Sequence, residues 1–254
     1  MTHQSTMILL EPERVTVTTT NEDGIKTVKN TNIENIQRIF MKEQAMETEL
    51  LPSQWGVVKY YRKNHYEGYV MTTPPATRKI TLDLRSNHIP AELTIPVPPL
   101  VWIFEIFKNA QGEKTLTHSM IFTIKHELLS LKDKVLHAPY PNIGVNHGIC
   151  WGRGNTPSVP TAKSLQNVPA RFFSQPFNFD LSVNRVKLFN HVNPDTSTAE
   201  QTDSAIYHMI KLAKEFEEAK NEGKEYSYPF ETLKEAGTMD VERAIRNTLP
   251  GIFS

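Results

Sequence analysis

The chain has 254 residues, and its 28 basic side chains balance 28 acidic ones. That length is enough for a buried core, and 39% hydrophobic and 22% charged residues are typical of a globular protein rather than a disordered one. A neutral chain gives no electrostatic reason to expect nucleic acid or an anionic membrane as the main partner. The single cysteine, Cys150, excludes an intramolecular disulfide and a zinc site built from several cysteines.

No segment has the length and apolar composition of a membrane span. The most apolar stretch, residues 95–107, is short, contains three prolines and includes Glu105. The first ten residues lack the basic and then apolar pattern of a secretory signal. A lone cysteine also favours a reducing compartment, so we expect a cytoplasmic protein without a membrane partner.

The first predicted element is a β-hairpin extension over residues 1–31, with a turn at Asp23-Gly24. A helix follows over residues 33–46, where apolar residues recur at helical spacing and Asn32 can act as the N-terminal cap. The chain then changes to β-rich segments that predict an antiparallel meander. These segments are residues 56–61, 68–71, 79–84, 93–95, 100–107 and 115–125.

Residues 137–162 contain four prolines and four glycines, which is incompatible with regular structure and predicts a long loop of turns. Loops of this length in compact domains are often functional. Helices are predicted after it, over residues 162–173, 202–222 and 240–247. The predicted fold class is therefore α+β.

The charge is distributed unevenly along the chain. Residues 200–254 carry 11 acidic and 7 basic side chains, a net charge of −4, so the remainder carries +4. We divide the chain into the hairpin extension 1–31, a core domain 32–192 and an acidic helical C-terminal extension 193–254. The charge difference suggests a surface for a protein partner.

Cys150 lies inside the Gly/Pro-rich loop. A lone cysteine is most often a small buried hydrophobe. Here, glycines leave backbone N–H groups accessible around it, and Asn142 and His147 add polar groups nearby. A thiolate is a strong nucleophile that needs access and a donor for a developing oxyanion, so a catalytic role stays open beside the structural one.

The loop reads Pro141-Asn142, then Gly148-Ile149-Cys150. This spacing resembles the active-site loop of ubiquitin-conjugating enzymes, in which a His-Pro-Asn motif precedes the catalytic cysteine. The resemblance implies the UBC-like fold, which has a helix, an antiparallel meander, the active-site loop and C-terminal helices.

Four segments resemble more closely a prokaryotic branch of that superfamily, protein B of the PRTRC plasmid and mobile-element systems. They are VPPLVWIF at 97–104, HAPYPNI at 137–143, GICWG at 148–152 and ARFFSQPF at 170–177. The branch implies three partners: a ThiF-type activating-enzyme-like protein, a ubiquitin-like modifier and a JAB-type peptidase. It implies no cofactor and no metal.

The resemblance also implies a mechanism. Cys150 would accept the modifier as a thioester by transthiolation and pass it to an amine, typically a lysine. Asn142 would hydrogen-bond the oxyanion. The supporting loop residues are His137, Tyr140, Pro141, His147, Gly148 and Trp151.

Some residues depart from the family pattern. Tyr140 stands at the position of the motif histidine, for which His137 is a possible substitute, and Trp151 could shield the thiol. His147 could lower the pKa of the thiol if it is protonated, or merely cap a turn. Asp180 is the only candidate we name for the acid that assists the incoming amine.

Two functions from different classes therefore remain. The first is a conjugating enzyme that carries a ubiquitin-like protein on Cys150. The second is a catalytically inactive scaffold of the same fold that binds the activating enzyme, the modifier or the peptidase. A scaffold has no need of a cysteine in this loop, which favours the enzyme.

Overall fold

The structure is a computed structural model. It describes residues 5–11, 14–21, 23–32, 46–51, 56–83, 92–144, 146–178, 204–233 and 235–254, and the structural statements refer to these ranges. The chain divides into two compact units, Met1–Met46 and Glu47–Ser254. The helix predicted over residues 33–46 falls almost entirely outside the described residues.

The first unit contains a three-stranded antiparallel sheet in the order β1-β2-β3. The strands are β1 (Ser5–Glu11), β2 (Arg14–Thr20) and β3 (Lys26–Thr31). In the predicted turn between β2 and β3, Gly24 takes a left-handed φ of 77°, and the Asn21 side chain accepts hydrogen bonds from the backbone that follows it. The hairpin extension is thus a three-stranded sheet.

The second unit is built on a seven-stranded antiparallel sheet in the order β12-β11-β10-β9-β6-β5-β4. Its strands are β4 (Met46–Glu47), β5 (Gly56–Lys63), β6 (Tyr66–Thr73), β9 (Leu100–Lys108), β10 (Lys114–Thr123), β11 (Lys134–His137) and β12 (Glu235–Asp240). The four longest were predicted from their β-rich composition. The three short strands β4, β11 and β12 were not.

Strands β7 (Ala76–Thr81) and β8 (Glu92–Val97) leave the main sheet and pair with each other. Strand β6 pairs instead with β9, which comes later in the chain, so the meander is interrupted. Prolines stand at both junctions, Pro74-Pro75 before β7 and Pro98-Pro99 after β8. Proline cannot donate to a β-ladder, which is why the chain leaves the sheet at these points.

The described helices follow the Gly/Pro-rich loop. A 3-10 turn over Ala162–Asn167 leads into α1 (Val168–Ser174), and the later helices are α2 (Ser204–Asn221), α3 (Val241–Thr248) and α4 (Pro250–Phe253). The first three helices lie where helices were predicted, and α4 was not predicted. The predicted cap of α3 is also present, because the Asp240 side chain accepts a hydrogen bond from Arg243 N at 2.9 Å. No helix among the described residues is long and apolar enough to cross a membrane.

Strand β9 is a central strand of the second unit, and both of its faces are buried. One face packs in a core with α1 and α2, and the other in a core with α3 and α4. The observed fold is a mixed α/β arrangement of mostly antiparallel sheets with few helices. The boundaries proposed after residues 31 and 192 stay predictions.

Candidate active site around Cys150

Residues 138–161 form the predicted loop of turns between β11 and the 3-10 turn. Two glycines in it, Gly152 and Gly154, take left-handed φ angles of 72° and 77°, which explains why glycine is used at these positions. The loop is attached to strand β10 along residues 147–149 through one isolated bridge, Met120–Gly148, and through backbone hydrogen bonds.

The loop pairs with the part of strand β10 that lies beyond the end of β11. Strand β11 pairs with β10 only at Phe122 and Thr123. Further along β10, Ile121 N donates to His147 O at 3.2 Å, and Ile149 N donates to Ser119 O at 3.0 Å. The loop therefore occupies the sheet edge that β11 leaves open, and the tip of the loop is held immediately before Cys150.

The Cys150 side chain is exposed. Its backbone N–H donates to Asn142 O at 2.8 Å, so the cysteine is tied to the Pro-Asn part of the motif through the main chain. The thiol is thus accessible on a fixed backbone, which is the arrangement a nucleophile needs.

Trp151 turns inward from the same segment. Only 7% of it is exposed, its ring lies edge-on to Phe172 at a centroid distance of 6.1 Å, and its Nε1–H donates to Ser119 Oγ at 3.0 Å. The indole ring is part of the core. It therefore does not shield the Cys150 thiol.

The Asn142 side chain is 8% exposed and shapes the loop. Its Nδ2 donates to Pro176 O at 3.0 Å, and its Oδ1 accepts from Asn178 N at 3.5 Å. The side chain thus connects the motif to the chain that follows α1. One of its two amide hydrogens is committed to this contact.

Tyr140 occupies the place of the motif histidine as a core residue. Its ring is 1% exposed and packs edge-on against Phe172 and Phe173 and stacks on Phe177. Its hydroxyl is buried without a hydrogen-bond partner among the described residues, and burial raises the pKa of the Tyr140 hydroxyl well above its usual value. Together with the buried Pro141, it anchors the loop by aromatic packing rather than by a polar contact.

His147 and His137 form a stacked pair behind the loop. Their ring centroids are 4.4 Å apart, and the His147 ring also lies 4.5 Å from Phe122. Burial, and then the neighbouring His137, lower the pKa of His147 to about 3. The imidazole is neutral near pH 7, so it supplies no positive charge to lower the pKa of the thiol.

His147 instead completes a turn, which was the other interpretation of its position. Its φ of 68° is left-handed, its N–H donates to Gly144 O at 3.0 Å, and Gly144 N donates to Gly148 O at 2.8 Å. Gly148 N also donates a hydrogen bond to Asn146 Oδ1 at 3.2 Å. These contacts make residues 144–148 a compact turn that leads directly to Cys150.

Comparison with models of protein families gives a match over most of the chain. A family model described as prokaryotic E2 family D matches residues 34–234. The chain belongs to prokaryotic E2 family D. The match includes the whole loop around Cys150 and helix α2, and it confirms the E2-like family expected from the loop. No curated protein and no solved structure matches the chain.

The candidate site of this family D protein has an exposed cysteine outside the two grooves described next. Two grooves of the described surface have volumes of about 840 and 450 Å³, and Cys150 lines neither of them. Small-molecule sites are typically concave. Among the described residues, no cluster of three or more His, Cys, Asp or Glu side chains is placed to hold a metal ion.

One residue of the candidate site was not predicted from the sequence. Ser119 contacts the residues on both sides of Cys150, yet it lies about thirty positions away in an ordinary strand. The only signal in the sequence was Trp151, because a buried indole N–H needs an acceptor. Asp180, named as a possible acid, lies outside the described residues.

Proposed function

We propose that this protein is a ubiquitin-conjugating-like enzyme that carries a ubiquitin-like modifier as a thioester on Cys150. The observation that carries the proposal is the exposed thiol of the only cysteine, on a fixed backbone, in a chain of a prokaryotic E2 family. The Pro-Asn motif bound to the Cys150 backbone supports it further.

Two transfers make up the proposed reaction. In the first, the Cys150 thiolate attacks the thioester carbonyl that links the modifier to an activating enzyme. A carbon–sulfur bond to Cys150 forms, and the activating enzyme leaves as a thiolate. In the second, an amine attacks the new thioester, an amide forms, the amine loses a proton to solvent or a base, and Cys150 leaves as a thiolate.

Asn142 is proposed to stabilise the oxyanion of both tetrahedral intermediates. A single donor of this kind is typically worth about 3 kcal/mol. The amide hydrogen that bonds Pro176 O holds the side chain in place, and the second hydrogen is the one assigned to the oxyanion. Tyr140, Pro141, His137, His147, Gly148 and Trp151 are proposed to support the loop.

The partners in this proposal are a ThiF-type activating-enzyme-like protein, a ubiquitin-like modifier and a JAB-type peptidase. They follow from the resemblance to protein B of PRTRC systems, which we propose as the branch. In this scheme the E2-like core spans residues 32–192, flanked by the extensions 1–31 and 193–254. The reaction needs a reduced thiol, which is consistent with the cytoplasm.

A transfer assay with defined cysteine variants tests the proposal. The protein is incubated with a ThiF-type activating enzyme, its ubiquitin-like modifier and ATP, and adducts are separated with and without a thiol reductant. We expect a thiol-sensitive adduct for the wild type, a thiol-resistant ester for Cys150→Ser and no adduct for Cys150→Ala. Ser158→Ala, at an exposed serine of the same loop, is the matched control and should retain the thioester.

Two outcomes contradict the enzyme. An adduct that persists in Cys150→Ala would remove the catalytic assignment. A wild-type protein that binds the activating enzyme or the modifier without forming an adduct would support the scaffold instead.

A further inference from the structure

Ser119 of strand β10 holds the chain on both sides of Cys150. Its carbonyl oxygen accepts from Ile149 N at 3.0 Å, and its Oγ accepts from Trp151 Nε1 at 3.0 Å. We propose that Ser119 is a positioning residue that fixes the orientation of the Cys150 thiol. We call the two hydrogen bonds that Ser119 accepts from Ile149 and Trp151 the clamp. Its role in modifier transfer rests on the proposed function, but the existence of the clamp does not.

Three hydrogen bonds hold three consecutive residues of the loop in place. Ile149 and Cys150 donate through their backbone N–H groups, and Trp151 donates through its side chain. Two of the three acceptors belong to Ser119, and the third is the carbonyl oxygen of Asn142. Ser119 therefore contributes more to holding this segment than any other residue bonded to it.

The hydroxyl of Ser119 supplies the acceptor for the Trp151 indole N–H, which the backbone of residue 119 does not supply. The carbonyl bond to Ile149 is available to any residue at position 119, whereas the bond to Trp151 requires a side-chain acceptor. The indole is almost fully buried, so removal of the hydroxyl leaves its N–H without the acceptor it has in this structure. The site thus depends on a serine or threonine at this position.

The orientation of Trp151 determines that of its neighbour. Cys150 points outward while Trp151 points into the core beside Phe172. If the indole shifts in the core, the backbone between the two residues rotates and the thiol moves with it. A nucleophile displaced by about 1 Å can lose two orders of magnitude in rate although its own chemistry is unchanged.

Four variants test the clamp in the full-length protein. Ser119→Ala removes the acceptor, Ser119→Thr retains a hydroxyl, Trp151→Phe removes the donor, and the double variant Ser119→Ala/Trp151→Phe removes both. Thr115→Ala, at an exposed position of the same strand, is the control. The single-turnover rate of thioester formation is measured for each protein together with its melting temperature.

We expect Ser119→Ala to form the thioester about tenfold more slowly. Ser119→Thr should restore the rate, and the double variant should be no slower than Trp151→Phe alone, because the two groups act through one bond. Thr115→Ala should transfer at the wild-type rate. A general loss of stability would instead lower the rates of both Ser119 variants and would make the two substitutions additive.

A second measurement does not depend on the proposed function. Hydrogen exchange of the Trp151 indole N–H is followed by NMR, and the signal is assigned by its loss in Trp151→Phe. We expect exchange at least about tenfold faster in Ser119→Ala than in the wild type or Ser119→Thr. If neither the wild type nor any variant forms a thioester but indole exchange is faster in Ser119→Ala, the proposed function fails and the clamp is supported. Unchanged indole exchange in Ser119→Ala would overturn the clamp.

Discussion

Cys150 and Trp151 are adjacent in sequence and have opposite environments. The thiol is exposed and the indole is almost completely buried. Such alternation needs a local anchor, which the Ser119 hydroxyl and the core around Phe172 provide. A bulky residue next to Cys150 is therefore compatible with access to the thiol, since its side chain packs into the core beneath the loop.

His147 shows how the position of a residue decides its charge. The left-handed turn directs its ring between His137 and Phe122, away from solvent. A buried imidazole beside a second histidine favours the neutral form, which lowers the pKa of His147 to about 3. Burial that suits a folded loop thus removes the charge that a catalytic role would require.

Replacement of His147 by asparagine should reduce the acid sensitivity of the protein. An unfolded histidine has a pKa of about 6.5, so below that pH the unfolded state binds a proton that the folded state does not take up until about pH 3. Stability from this residue is complete above pH 6.5 and is lost as the pH falls. Between pH 7 and 5 we expect the wild type to lose about 1–2 kcal/mol more than His147→Asn.

Urea denaturation at pH 7, 6 and 5 measures this difference. Asparagine tolerates a left-handed φ, so the turn should be retained in the variant. Equal losses for both proteins over this range would show that His147 is not the group responsible.

At the scale of elements, helix α4 is held against the sheet through its own Gly251 and the buried carboxylate of Glu105. Gly251 N donates to Glu105 Oε1 at 2.7 Å, and Thr117 and His118 donate to, or share a hydrogen bond with, the other oxygen of Glu105. A Cβ at Gly251 would overlap the Tyr66 ring, closer than real Cβ atoms come to other atoms. The lack of a side chain at this position is what lets the helix reach the sheet.

Gly251→Ala is therefore expected to destabilise the second unit by about 1–3 kcal/mol through overpacking. The double variant with Tyr66→Leu should recover part of the loss, because the smaller side chain removes the overlap. Chemical denaturation of the two single variants and the double variant measures the coupling. Strictly additive effects would mean that the Tyr66 ring is not the obstacle.

At the scale of the second unit, strand β9 belongs to two cores at once. Phe104 packs in the core with α1 and α2, and Ile103 packs in the core with α3 and α4. Neither side chain is accessible to solvent. Because the two cores share one strand, we expect this unit to unfold as a single cooperative structure.

Ile103→Ala and Phe104→Ala should each lower the free energy of unfolding by about 2–5 kcal/mol. Both should shift the same transition, whether it is followed by tryptophan fluorescence or by far-ultraviolet circular dichroism. Leu129→Ala, at a side chain that is 73% exposed, is the control and should change stability by less than about 0.5 kcal/mol. Two separate transitions, one for each core, would contradict the cooperative unit.

Features of the fold that depend on neighbouring residues can be predicted from the sequence. The long strands β5, β6, β9 and β10 follow from β-rich runs, α3 from its Asp240 cap, and the turn before β3 from Asp23-Gly24. The loop around Cys150 follows from its prolines and glycines, and its motif identified the E2-like family. Such signals are local, because backbone propensity and capping act within a few residues.

Features that depend on residues distant in sequence become visible only in the folded chain. Strand β11 has only four residues, β12 reads EAGTMD and lacks a β-rich pattern, and β7 and β8 pair apart from the main sheet. The neutral state of His147 and the contact between Ser119 and Trp151 both arise from side chains that meet across elements. Burial and hydrogen-bond partners are properties of the packed chain, so one sequence read without its contacts leaves them open.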